Sequence, residues 1–233
     1  MLWEEDPRLQ DYVVPEDVVD ISFKLNCKML PTTHAWPLQQ ALYRALPWLP
    51  DEPRAAIHQI HGASSGNGWE RPPDGELIHL SKRSRMSLRV PSHRVEAARE
   101  LVGQTLDIDG YPVGVGAAMV KLLQPLPTLF ARYVVVPDGM DENRFVDWVV
   151  QELAEHDINI RKMLCGISHV VSTPEQEFET RSVMIADLGK PESISLQEIG
   201  LGPGRHLGCG IFMPQKGIRA VGEAEDKSHF TGT

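Results

Sequence analysis

The chain has 233 residues and a formal net charge of −9, with 42% hydrophobic and 24% charged residues. That is the balance of a globular protein able to bury a full core, as one large domain or two modest ones. Its three cysteines, Cys27, Cys165 and Cys209, are odd in number, far apart and in no CxxC pair, which excludes a disulfide framework and a zinc site as natural readings. The first twenty residues are acidic where a signal peptide would be basic, and Lys121, Pro125 and Pro127 break the best apolar stretch short of the roughly 18 residues a membrane span needs. A cytoplasmic location without membrane contact is expected.

Along the chain, Val18 to Leu25 alternates as a strand, and Thr32 or Thr33 caps a helix starting near His34 with Leu38, Ala41, Leu42 and Leu46 on one face. Residues 62 to 75, with "GASSGNG" and two prolines, read as a loop. Leu77 to Leu80 and Met86 to Val90 read as two strands joined by the basic turn "SKRSR". Ser92 caps a second helix, and Thr105 to Ile108 starts another strand. The order is βαββαβ.

A second pass begins at Thr128. Leu129 to Val136 is a strand, Asp141 to His156 a helix, Ile160 to Val171 and Phe178 to Leu188 a strand pair, and Ser193 to Ile199 leads into a glycine-rich loop and a last strand. The second helix of this half is expected to be short or missing. The reading is α+β: two tandem ferredoxin-like domains, 1–126 and 127–221, with residues 222–233 as a fraying tail.

The charge is unevenly spread. Lys82, Arg83, Arg85, Arg89 and Arg94 occur between Leu80 and Val95 with no acid among them, and Arg205, His206, Lys216 and Arg219 flank the glycines in an acid-free stretch from 201 to 222. Six glycines fall within residues 200–218, but the context fits neither a Walker loop nor a dinucleotide fingerprint, since Pro214 argues against a following helix. What remains is a loop suited to a polyanion. Asp and Glu do not cluster with the histidines at ligand spacing, so no metal or other cofactor is expected.

The loop carries a further pattern: Gly200-Leu201-Gly202, five residues, then Gly208-Cys209-Gly210. With "VDISFKL", "HAWPLQQAL", "LPWL", "IHQIHG", "SRMSLRVP", "PTLFARYV" and "GRHLGCGIFMPQKGI" in order, the chain resembles the CRISPR-associated repeat-cleaving endoribonucleases of the RAMP superfamily, most closely the MYXAN-subtype branch. That resemblance implies metal-independent cutting of a precursor RNA within its repeats, by attack of a 2′-OH on its neighbouring phosphate. It also implies retention of the guide RNA and association with other subunits of a CRISPR effector complex. The alternative is a relative that binds the repeat without cutting.

Under the resemblance, His34 at the start of the first helix is the first choice for general base, and His58 is a second catalytic candidate or a packing residue. The RNA contacts expected are Lys82, Arg83, Arg85 and Arg89 on the basic turn, and Gly202, Gly204, Arg205, His206, Gly208, Gly210, Lys216 and Arg219 at the glycine loop. Tyr43 is as readily core as catalytic, and Trp36, Trp48 and Trp148 read as core.

Overall fold

The structure is a computed structural model, and it describes residues 12–62, 72–73 and 75–215. In chain order its elements are β1 (Val18–Asn26), β2 (Met29–Pro31), α1 (Ala35–Ala45), β3 (Ala56–Ile57), β4 (Leu77–His79), β5 (Arg85–Pro91), α2 (Val95–Arg99), β6 (Thr105–Ile108) and β7 (Tyr111–Leu122). There follow β8 (Leu129–Val135), α3 (Glu142–Ala154), β9 (Lys162–Ser172), β10 (Glu177–Ala186), α4 (Lys190–Ile199) and β11 (Met213–Pro214). Among the described residues, no helix is long and apolar enough to cross a membrane.

Alternation along β1 sends Val19, Ile21 and Phe23 to one face, where all are buried, and Asp20, Ser22 and Lys24 to the other. The buried face meets α1, which turns Leu38, Ala41 and Leu42 inward. The antiparallel sheet runs β3-β5-β1-β7-β6; without β6 this is the ferredoxin-like order. Strand β6 is added by a hairpin whose two turn residues, Asp109 and Gly110, both have positive φ, the geometry of a type I′ turn.

The second sheet, β11-β8-β10-β9, repeats the order under α3 and α4. Phe145, Val149 and Leu153 of α3 pack on Leu129, Ala131, Val183 and Ile185. The fold is thus two tandem ferredoxin-like units, as the sequence indicated. Two smaller clusters join the units: Ala35, Tyr133, Val135, Val171, Leu207 and Cys209 in one, Val18, Leu123 and Ile194 in the other.

Two expectations need correction. The helix thought short or missing is α4, ten residues long, entered through Gly189, whose N–H donates to Glu192 Oε2 at 2.7 Å. The "SKRSR" turn does not close a hairpin, because β4 pairs with β2 while the free edge of β5 is taken by β3. The two-residue β3 escaped notice because it is too short to show alternation. The glycine loop leads only into the two residues of β11. Lys216, Arg219 and the 222–233 tail lie outside the described residues.

Candidate functional site

Between the two units lies a cleft of about 520 Å³, walled by the segment after β3, the 81–87 turn and strand, β8, and the stretch from Gly208 to Gln215. Among the described residues, His58, His61, Arg83, Arg85 and Arg132 line it, and no aspartate or glutamate does. In a chain of net charge −9, this is a local reversal of sign of the kind that concentrates an anion.

His34 does not reach the cleft. It is 1% exposed, and both ring nitrogens meet backbone: Nδ1 lies 2.8 Å from Pro31 O, and Ile60 N–H donates to Nε2 at 3.0 Å. A carbonyl only accepts and an amide N–H only donates, so the ring holds its proton on Nδ1. The first choice of base is thus a buried ring that does not line the cleft. His34 pins the start of α1 to the extended 58–61 segment, and so sets where His58 and His61 emerge.

Arg89 also needs correction. Its position on β5 directs it to the polar face of the first sheet, but that face is covered by the second unit and the side chain is 0% exposed. The guanidinium grips Asp20 through Nε–Oδ1 at 2.8 Å and Nη2–Oδ2 at 3.0 Å, while Nη1 donates to Gln197 O at 2.7 Å and Phe212 O at 3.0 Å. Burial works to raise the Asp20 carboxyl, but Arg89 and His58 outweigh it and hold the group well below the ordinary carboxylate range. The second oxygen contact of Asp20 is with His58, whose Nε2 lies 3.5 Å from Oδ1. A residue expected to hold RNA is instead the bolt between the two units.

The glycine loop is packed rather than open. Leu201 N–H donates to Gly210 O at 3.0 Å and Gly210 N–H to Tyr133 O at 2.6 Å, so the two Gly-apolar-Gly segments lie backbone to backbone on β8. Gly210 has φ +64, and a Cβ there would overlap Leu201 O. A Cβ on Gly208 would strike Gln59 Cγ at 2.5 Å, and Gln59 Nε2 donates to Leu207 O at 2.8 Å. Only Gly208 of the four glycines named as contacts lines the cleft; Gly202 is exposed elsewhere, Gly204 is half-buried against Cys209, and Gly210 is buried.

Arg205 turns inward, donating to Ile199 O and, at 3.5 Å, to Ala55 O and Arg54 O; burial, with Arg89 and Arg54 nearby, lowers it to about 10. His206 Nδ1 lies 2.6 Å from the Tyr43 hydroxyl, which also accepts from Gln39 Nε2 at 2.9 Å. Burial pushes the His206 imidazole below its ordinary value. Both side chains dock the loop onto α1 and the 52–55 segment while staying partly exposed.

A family model described as "Cas6 Crispr" matches residues 19–217. The chain is 31% identical over 196 residues, 84% of its length, to a "CRISPR-associated endonuclease Cas6" from Myxococcus xanthus (strain DK1622), of which 81% is covered. The chain belongs to the Cas6 family. Its fold is similar to a solved "CRISPR associated protein Cas6" at TM-score 0.63 and 12% identity, covering 86% of this chain and 100% of that one. It is also similar to a Cas6-related protein from Pyrococcus furiosus at TM-score 0.57 and 14% identity, covering 84% and 97%.

In this Cas6 family member the basic island divides. Arg94 pairs with Glu52 at 3.0 Å and lies 5.0 Å over the Trp48 ring, a structural use. Lys82 and Arg83 are exposed on a turn tied by Ser81 and Ser84, and half-buried Arg85 folds back on the carbonyls of Lys82 and Ser84, both at 2.9 Å. Trp36, Trp48 and Trp148 pack against the cores, as expected.

Sequence reasoning passed over His61, Phe130 and Arg132. The signal was present for Arg132, a lone cation on a strand otherwise apolar in "TLFARYVVV". For His61 it was absent, because nothing local shows that its ring stands 6.5 Å from that of Tyr133, seventy-odd residues on. Among the described residues, no group of three or more His, Cys, Asp or Glu could hold a metal ion.

Proposed function

We propose that this chain is a CRISPR precursor-RNA processing endoribonuclease that cuts within the repeat, in the cleft between its two units, and then retains the guide RNA. The observation that carries the reading is the cleft itself: two histidines and three arginines, with no acid among the described residues that line it, in an acidic protein. The similarity to a Myxococcus xanthus protein named a CRISPR-associated endonuclease supports it, as does the fold shared with a solved structure described as "An RAMP protein binding different RNA substrates", at TM-score 0.54.

The chemistry follows from the substrate. RNA carries its own nucleophile, so the reaction needs no metal to generate one. The protein must align the 2′-OH with the neighbouring phosphorus, remove its proton, protonate the departing 5′-oxygen and offset charge on the phosphorane. Histidine suits both proton steps, because its unperturbed pKa of about 6.5 lies near working pH. His58 and His61 take these roles. Asp20 stands behind His58 as an orienting carboxylate, and Arg83, Arg85 and Arg132 hold phosphates. The products are a 2′,3′-cyclic phosphate and a 5′-hydroxyl. The guide RNA so retained would enter a complex with other CRISPR effector subunits in the cytoplasm.

The burial of His34 favours one rival, a subunit that binds the repeat without cutting. End-labelled repeat RNA from the same locus, incubated with the protein in EDTA, separates the two. A single cut leaving a cyclic phosphate and a 5′-hydroxyl is expected; tight binding with no cut would make the chain a binding subunit.

A further inference from the structure

Four apolar side chains form one row across the second sheet, on the face away from α3 and α4. Strand register sets Met213 of β11 beside Phe130 of β8, Phe130 beside Met184 of β10, and Met184 beside Leu164 of β9. Met213 is 40% and Leu164 62% exposed, and Phe130 and Met184 are half-buried. Single exposed apolar residues are ordinary, but a continuous row from one sheet edge to the other marks a surface that meets something.

Its surroundings say what. Phe130 and Met213 line the cleft together with Arg83, Arg85 and Arg132, so the row begins where the arginines are and leads away toward β9. Arg132 lies two residues along β8 on the same face, its guanidinium carbon 5.7 Å from the Phe130 ring centroid. An aromatic face beside a cation, next to further arginines, matches an unpaired nucleotide: an apolar π-face joined to an anionic phosphate. A double helix hides its base faces in its own stack and offers a sheet only its backbone. The cleft volume of about 520 Å³ falls in the small-molecule range of roughly 300–1,000 Å³, which admits a base with its ribose.

We propose that the Met213–Phe130–Met184–Leu164 row is a stacking platform for unpaired nucleotides, so that the RNA strand leaving the cleft is single and crosses the second sheet toward β9. The row spans three inter-strand spacings, roughly 14 Å, room for two or three stacked bases. The inference rests on the reading above only in taking RNA as the occupant of the cleft.

The test uses the full chain and fluorescence anisotropy with a labelled oligouridylate of about 12 nucleotides, inside the site sizes of about 4–16 common for single-strand binders, and an RNA duplex of equal length. Phe130→Leu keeps an apolar residue and removes the ring; Leu164→Ser changes an exposed position remote from both cores. Phe130→Leu should weaken single-strand binding about 5- to 100-fold and Leu164→Ser by less. In both, the slope of log affinity against log salt should stay as in wild type, because neither residue neutralises a phosphate. Arg132→Gln should instead lower that slope by about one.

Wild-type affinity in both variants would overturn the proposal, as would equal binding of duplex and single strand. If Phe130→Leu fails to fold, Leu164→Ser decides alone. Normal RNA binding together with loss of a protein partner would reassign the row to protein docking. Repeat cleavage by wild type is scored separately: cutting with no effect of the row variants sinks this inference and leaves the endoribonuclease standing, whereas absence of cutting sinks the latter alone.

Discussion

Replacing Arg89 by methionine tests whether that residue holds the protein together or holds RNA. The change leaves Asp20 as a carboxylate without its bidentate partner and leaves Gln197 O and Phe212 O without their donor. Breaking a buried ion pair by removing one member costs about 3–5 kcal/mol, a large share of the roughly 5–15 kcal/mol that a folded domain has. Equilibrium urea denaturation should show an unfolding free energy lower by that amount, with the midpoint moved down in proportion. Adding Asp20→Leu should recover part of the loss, since two apolar residues in place of a buried pair are often close to neutral, but not all, because the two carbonyls stay unsatisfied. The pH dependence has a definite sign. The Asp20 carboxyl is held down in the folded state, so its stabilisation is complete above the ordinary carboxylate value of about 3.9 and is lost as pH falls below it; Arg89→Met should flatten that decline. An unchanged urea midpoint, with RNA affinity reduced and its salt slope smaller by about one, would refute this account and return Arg89 to the RNA surface.

Other outcomes follow from the same contacts. Gly210→Ala should destabilise by about 1–3 kcal/mol from its backbone conformation alone and further through overlap with Leu201 O, read as a fall in melting temperature; an unchanged melting temperature would contradict the packed loop. Burial holds the His206 imidazole down, so the unfolded chain takes up its proton first, and the stability from the neutral ring is complete above about pH 6.5 and declines below it. His206→Gln should remove that part of the decline, while Tyr43→Phe, losing the 2.6 Å contact, should cost about 1 kcal/mol in urea denaturation. Arg83→Gln should lower the salt slope of RNA binding by about one without moving the melting temperature, since Arg83 is exposed.

The fold was legible in the sequence wherever a segment was long enough to show a period. The strand at 18–26, the first helix and the helix at 142–154 all carried theirs, and the repeated βαββαβ order followed. What failed were features whose partner is distant. Ala56–Ile57 is a strand only because β5 offers it an edge, and Leu77–His79 belongs with Met29–Pro31 on the far side of α1 and β3 in the sequence. The site shows the same division. Clusters of cations were visible, but a run of basic residues cannot show which of them meet internal acids or carbonyls. Arg89, Arg94 and Arg205 do so, Arg85 lines the cleft while holding two carbonyls of its own turn, and Arg83 lines the cleft from an exposed position. The helix-opening His34 looked accessible because its two backbone partners, Pro31 and Ile60, lie on different segments. The glycines were noticed for their freedom, yet their spacing serves the close approach of the chain to itself.

If RNA is cut in the cleft by His58 and His61, His34 serves the fold and three histidine variants should part company. Single-turnover cleavage of the cognate repeat in EDTA, with RNA binding and urea stability followed in parallel, tests it most directly on His58→Ala, His61→Ala and His34→Ala. The account predicts a loss of about 10²–10⁴-fold in cutting with binding and stability kept for at least one of the cleft variants. For His34→Ala it predicts a stability loss of about 1–3 kcal/mol from the orphaned backbone groups, with cutting retained where the protein stays folded. A His34→Ala protein that is fully stable, binds the repeat normally and does not cut, beside cleft variants that cut like wild type, would contradict it.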